Sequence, residues 1–286
     1  MRGWPAAEMY PARSSRAVAA LIVVACLIVP ALAAARTTVP ADEDPSGARH
    51  WRLETPRGPV HVWIPACFDP ATAGTVVYVH GFWTNADRAW REHRLAEQFA
   101  TSGVNALFVV PEAPSGPDEA VAWGSLQRLL GELRRQTGVA APGRIVVVGH
   151  SGAYRSISRW LRHPRLRHVL LLDALYAEER TFRRWLRGAP NRRMTLVVAG
   201  STERRAQRFV RGVRGGVRVG EVPEQLEDLP RRAAGARVLY LRSQFDHMGI
   251  VTDGAVIPVL LRRVGLPELP APPAVGADRE ATVGSG

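Results

Sequence analysis

The sequence predicts one α/β domain, built on an eight-stranded, mostly parallel sheet with helices on both faces. Three observations carry this. Across residues 50–264, short apolar runs rich in β-branched residues alternate with helical patterns, as they do when crossover helices join parallel strands. Six of the runs are apolar almost throughout, the mark of strands buried on both faces. One run leads directly into a Gly-His-Ser-Gly-Ala turn with a helical pattern beyond it. With 46% hydrophobic and 22% charged residues, the composition excludes collagen, coiled coil and wholesale disorder, and 286 residues suffice for a sizeable core.

The N-terminus comes first. Arg13 and Arg16 precede an apolar stretch over 17–35, interrupted only by Pro30 and followed by Arg36. This is a secretory signal pattern, and Ala31, Ala33, Ala34 and Ala35 offer cleavage sites. The expected organisation is a signal peptide over 1–35, a flexible segment over 36–49, the folded domain over 50–265, and a loose Pro/Ala/Gly-rich tail over 266–286. A secreted or periplasmic protein follows, with no stable membrane span once the signal is cleaved. An uncleaved anchor and lipid attachment at Cys26 are the lesser alternatives. Cleavage leaves Cys67 as the one thiol, too few for a disulfide framework, and it is expected to be buried.

The first two strands, 50–54 and 59–64, alternate polar and apolar residues around Pro56-Arg57-Gly58 and read as a hairpin. The buried runs are 75–79, 106–110, 144–148, 168–172, 195–199 and 237–241. Helices are expected over 87–101, 119–136, 152–162, 178–187, 202–213 and 253–264. No intervening segment is long enough for a separate cap domain, so the site should be open.

Three strand ends carry chemistry. After 144–148 comes Gly149-His150-Ser151-Gly152-Ala153, a GxSxG pattern with alanine in the last place. A serine on a tight strand-to-helix turn projects its hydroxyl above the sheet, and the Gly152 amide faces any oxyanion that forms there. The run 75–79 ends in His80-Gly81-Phe82-Trp83, where a His-Gly turn can present the Phe82 amide as a second donor. The last strand is followed by Asp246-His247, and a histidine there can turn back over the sheet to take the Ser151 proton. Asp246 is expected to bond backbone or arginine. His80 and His150 are read as loop architecture, with His150 and Trp83 also expected to contact substrate. His93, His163 and His168 read as solvated surface. Trp90 and Trp123 read as pocket lining or core.

With these motifs in place the chain resembles an α/β-hydrolase over residues 50–264: 149–153 match the nucleophile elbow, His80-Gly81 the oxyanion turn and His247 the late base. The resemblance implies a lipase- or esterase-like serine hydrolase whose residues run serine, acid, histidine along the chain. Two acids compete. Asp173 ends the run 168–172 abruptly, and a carboxylate on a buried strand end needs a partner such as an oriented imidazole. Glu203 follows the next strand, the superfamily's more usual position. Asp173 is preferred, because some lipases of the pancreatic type carry their acid at its position. No cofactor or metal is implied, since HExxH, paired CxxC and phosphate-loop patterns do not occur.

The net charge is +12 with a sequence pI near 11.1, and all 38 basic residues are arginine. They are spread through the chain rather than gathered with aromatics, so nucleic acid is not the expected partner. An anionic envelope surface is the partner such a charge would favour. The expected substrate is a small-molecule or lipid-like carboxylic ester. An amidase or peptidase acting on envelope material, and a noncatalytic envelope-binding module on the same scaffold, remain the alternatives.

Overall fold

The computed structural model describes residues 39–270. Ten strands form one sheet: β1 (Asp42–Glu43), β2 (Arg49–Leu53), β3 (Val60–Ile64), β4 (Gly74–Val79), β5 (Ala106–Pro111), β6 (Ile145–His150), β7 (Leu166–Leu172), β8 (Arg193–Val198), β9 (Gly216–Val219) and β10 (Val238–Arg242). Their spatial order is β1-β2-β3-β5-β4-β6-β7-β8-β10-β9. The pairs β1/β2, β2/β3 and β3/β5 are antiparallel, and every later pair is parallel. The helices are α1 (Ala86–Glu92), α2 (Leu95–Ser102), α3 (Leu126–Thr137), α4 (Tyr154–Trp160), α5 (Glu179–Arg187), α6 (Glu203–Arg211), α7 (Arg231–Ala234), α8 (Gly249–Thr252) and α9 (Val256–Arg263).

Alternation along each strand divides the core between two faces. Val77 and Val79 of β4, Ile145 and Val147 of β6, and Val238 and Tyr240 of β10 join Leu129, Ile157, Phe182 and Phe209 from α3, α4, α5 and α6. Their neighbours Val76, Tyr78, Val146, Val148, Leu239 and Leu241 join Ala89, Phe99, Ile257 and Leu260 from α1, α2 and α9. The chain leaves β4 through α1 and α2 to reach β5 on one side, then returns through α3 to β6 on the other. The winding direction therefore reverses about β4, which opens a crevice at the carboxyl ends of the strands.

The strand count exceeds the expected eight by β1 and β9. Both are short, β1 exposed and β9 only partly buried, so they lack the apolar runs that revealed the others. Residues 39–49 were expected to be flexible, yet the Trp51 indole donates to the Val39 carbonyl and β1 pairs with β2. At the other end, residues 266–270 are tied down rather than loose. The Asn105 amide donates to the Pro267 carbonyl and the Leu269 amide to that of Gly103, while Leu266 is buried. The first expected helix divides into α1 and α2 at Arg94, whose φ of +48° breaks the helical path. The second expected helix, 119–136, starts later, at Leu126, where Ser125 caps its first turn. The signal pattern over 1–35, Cys26 and tail residues 271–286 lie outside the described residues. Among the described residues no helix is long and apolar enough to cross a membrane.

Candidate active site

β6 ends at His150 and the chain turns sharply at Ser151, whose φ is +51°. A non-glycine residue in this left-handed region costs on the order of 1–3 kcal/mol and persists only where its surroundings enforce it. Tight packing enforces it here. A Cβ on Gly149 would fall 2.3 Å from Ile157 Cδ1 and 2.9 Å from Ala153 Cβ, and a Cβ on Gly81 would fall 2.6 Å from Ser151 Cβ. Ala153 has helical backbone at φ −58°, so the last place of the motif needs a small residue but not glycine. On Gly152 a Cβ would meet the Phe82 ring at 2.5 Å, so the two amides expected to serve one oxyanion lie on turns in direct contact.

The second turn is pinned from below. A buried His80 accepts at Nε2 from the Ala113 amide (3.0 Å), which leaves the proton on Nδ1 to donate to the Gly81 carbonyl (2.8 Å). The Trp83 amide donates to the Ser115 carbonyl (2.7 Å), and the Asn85 side chain caps α1. Trp83 itself is 78% exposed with φ +67°, an indole held out into solvent at the edge of the turn.

Asp173 follows β7 with φ +43° and is fully buried. Its Oδ2 lies 2.7 Å from His247 Nδ1, and its Oδ1 accepts from the Thr202 hydroxyl. Burial pushes the carboxyl up, but hydrogen bonds from His247, Thr202 and the Ala199 amide outweigh it and hold the group below the ordinary aspartate value. A carboxylate can only accept, so His247 carries its proton on Nδ1 and keeps Nε2 free as a base. The His247 side chain is 36% exposed.

His247 is held over the elbow by His150. The His150 Nε2–H donates to the His247 carbonyl (2.9 Å), and the two rings lie 4.5 Å apart. Burial and the neighbouring His247 depress His150 to about 3, so it stays a neutral donor. Being 3% exposed, it is not the substrate-contacting side chain expected from sequence. Among the described residues no hydrogen bond joins the Ser151 hydroxyl to the His247 ring; the hydroxyl lies instead beside that of Tyr176.

Other expectations are also revised. Glu203, the rival acid, is occupied elsewhere, accepting from Gln207 (3.0 Å) and the Tyr240 hydroxyl (3.3 Å). Asp246 accepts from the Gly249 amide, as expected (2.6 Å). His93, His163 and His168 are buried rather than solvated, because each finds a polar partner: the Tyr78 hydroxyl, Gln127 and Thr195, respectively. Trp123 is buried core, while Trp90 stacks against the rings of His50 and His61. Cys67 is exposed. Sequence reasoning missed Thr202 and Tyr176. Thr202 stands one residue before Glu203, and a hydroxyl so near a strand end was the available signal. Among the described residues no group of three His, Cys, Asp or Glu side chains is arranged to hold a metal.

With the sheet order and the elbow in view, the chain has the α/β-hydrolase fold. Solved structures similar to it include a feruloyl esterase module from Clostridium thermocellum, at 10% identity and a TM-score of 0.51, covering 81% of this chain and 96% of that one. A fluorophosphonate-binding serine hydrolase F of Staphylococcus aureus is 10% identical at a TM-score of 0.51, with 79% and 99% coverage. An S-formylglutathione hydrolase of the same organism is 13% identical at a TM-score of 0.50, with 77% and 97% coverage. No protein-family model matches the chain, and no curated protein matches its sequence.

Proposed function

We propose that this chain is an exported serine hydrolase that cleaves carboxylic esters through an acyl-enzyme. Ser151 Oγ attacks the ester carbonyl while His247 Nε2 takes its proton, and Asp173 holds the imidazolium that results. The Phe82 and Gly152 amides stabilise the oxyanion, and neither donates to another described residue, so both are free for that role. His247 then returns the proton to the departing alcohol, and water releases the acid by the same steps in reverse. The Ser151–His247 hydrogen bond forms with substrate in place, as catalytic hydrogen bonds commonly tighten in the bound complex.

One observation carries this reading: an Asp173–His247 pair 2.7 Å apart beside a serine held at positive φ, the three supplied by separate strand ends. The esterase and serine hydrolase names of the structural neighbours support it. Export rests on the apolar N-terminal stretch behind Arg13 and Arg16. Trp83 is the exposed aromatic available to contact an ester substrate.

A panel of aryl esters of graded acyl length and matching aryl amides tests the proposal. The expected result is ester turnover abolished by Ser151→Ala, with amides much slower. Amide turnover equal to ester turnover would move the chain to the amidases, and activity surviving Ser151→Ala would refute the mechanism.

A further inference from the structure

We propose that the groove between α4 and α5 binds a ligand carrying phosphate groups, a site that does not depend on the ester chemistry above. The groove holds about 1150 Å³ and is lined by Arg155, Arg159, Arg162, Arg184 and Arg192, with Glu178 as the one carboxylate. None of these arginines forms an ion pair among the described residues. Glu178 accepts from the Thr181 hydroxyl (2.7 Å). Arg155 donates to the carbonyls of Gly116 and Glu119, and Arg192 to that of Trp185, contacts that orient the guanidinium but leave its charge uncancelled. The guanidinium groups of Arg159, Arg162 and Arg184 have no hydrogen-bond partner among the described residues. Two further donors on the wall, Trp185 Nε1 and Arg192 Nε, are buried without an acceptor. The wall thus carries five guanidinium groups and buried N–H donors against a single carboxylate.

Like charges around a concave surface repel one another and focus a positive potential into the hollow, which an anion relieves. The planar fork of arginine matches oxyanions with two or more oxygens. The charge balance selects among them. Five cations against one carboxylate leave an excess that two phosphate groups would neutralise, at about −1.5 to −2 each, where simple carboxylates would need twice as many.

Titration calorimetry of the full chain with sodium tripolyphosphate tests the site, with sodium citrate as the carboxylate comparison. The control is a second arginine-bearing hollow of about 570 Å³, lined in part by Arg218 and Arg232. One tripolyphosphate should bind per chain. Affinity should fall about tenfold or more in Arg159→Ala/Arg184→Ala and change less than about twofold in Arg218→Ala/Arg232→Ala, with citrate at least about tenfold weaker than tripolyphosphate. If the alanine pair loses its helical circular dichroism, Arg159→Gln/Arg184→Gln gives the same comparison with side-chain length retained. No measurable binding, equal losses in the two double variants, or citrate binding as well as tripolyphosphate would each overturn the proposal.

Discussion

In the proposed mechanism Asp173 takes its role from its surroundings. A fully buried carboxylate is unfavourable on its own, and here it is offset by three donors, one of them an imidazole. Asp173→Asn should lower kcat by on the order of a thousandfold or more with the fold intact, because an amide can hold His247 in the wrong tautomer. Glu203→Gln should stay within about twofold, and the reverse ranking by steady-state kinetics would move the acid to the following strand. His150 touches the Asp173–His247 pair through the His247 backbone carbonyl. His150→Phe should depress kcat more than KM, whereas a loss confined to KM would return His150 to substrate contact. The candidate residues Ser151 and Asp173 were legible because each directly follows an apolar strand, and His247 because it lies in the loop beyond the last one. Thr202, Tyr176 and the buried His93 were not, since their partners come from distant stretches of chain.

At the scale of elements, the elbow works by close approach. Gly81 and Gly149 leave room for neighbouring backbone and side chains, and a 3-10 turn over Ser151–Ala153 leads directly into α4. Gly81→Ala places a methyl against Ser151 Cβ, so it should lower both ester turnover and the denaturation midpoint, with a loss of about 1–3 kcal/mol. An unchanged midpoint in urea would show that the turn can yield. The buried strands were readable from their apolar runs, and the hairpin from its alternation and its Pro-Arg-Gly turn. The edge strand β9 was not, because three half-buried residues and one exposed residue within the long 201–236 connection carry no periodic signal. The split between α1 and α2 was hidden for a different reason: a left-handed Arg94 leaves no mark in composition.

Across the whole molecule, buried imidazoles set the acid side of stability. Burial is the main cause that depresses His61 and His93 to about 4 and His150 to about 3, against an ordinary value of 6.5. Below pH 6.5 the unfolded chain takes up protons that the folded chain refuses. Stability should therefore fall as pH drops from about 6.5 toward 4, by up to about 1.4 kcal/mol per pH unit for each imidazole. The depressed Asp173 acts lower still, its contribution present above the ordinary carboxylate value of 3.8 and lost as pH falls through the folded value. Urea midpoints that stay flat between pH 7 and pH 5 would contradict this. The mostly parallel sheet follows from the pattern of runs, while the spatial order of its strands and the arginine-lined groove beside α4 and α5 emerge only in the folded structure. The central claim is that Ser151 is an activated nucleophile, and covalent labelling tests it most directly. Incubated with a fluorophosphonate, the full chain should gain one adduct, mapped by mass spectrometry to Ser151 and absent from Ser151→Ala. A wild-type chain that stays unmodified while a known serine hydrolase in the same tube is labelled would contradict it.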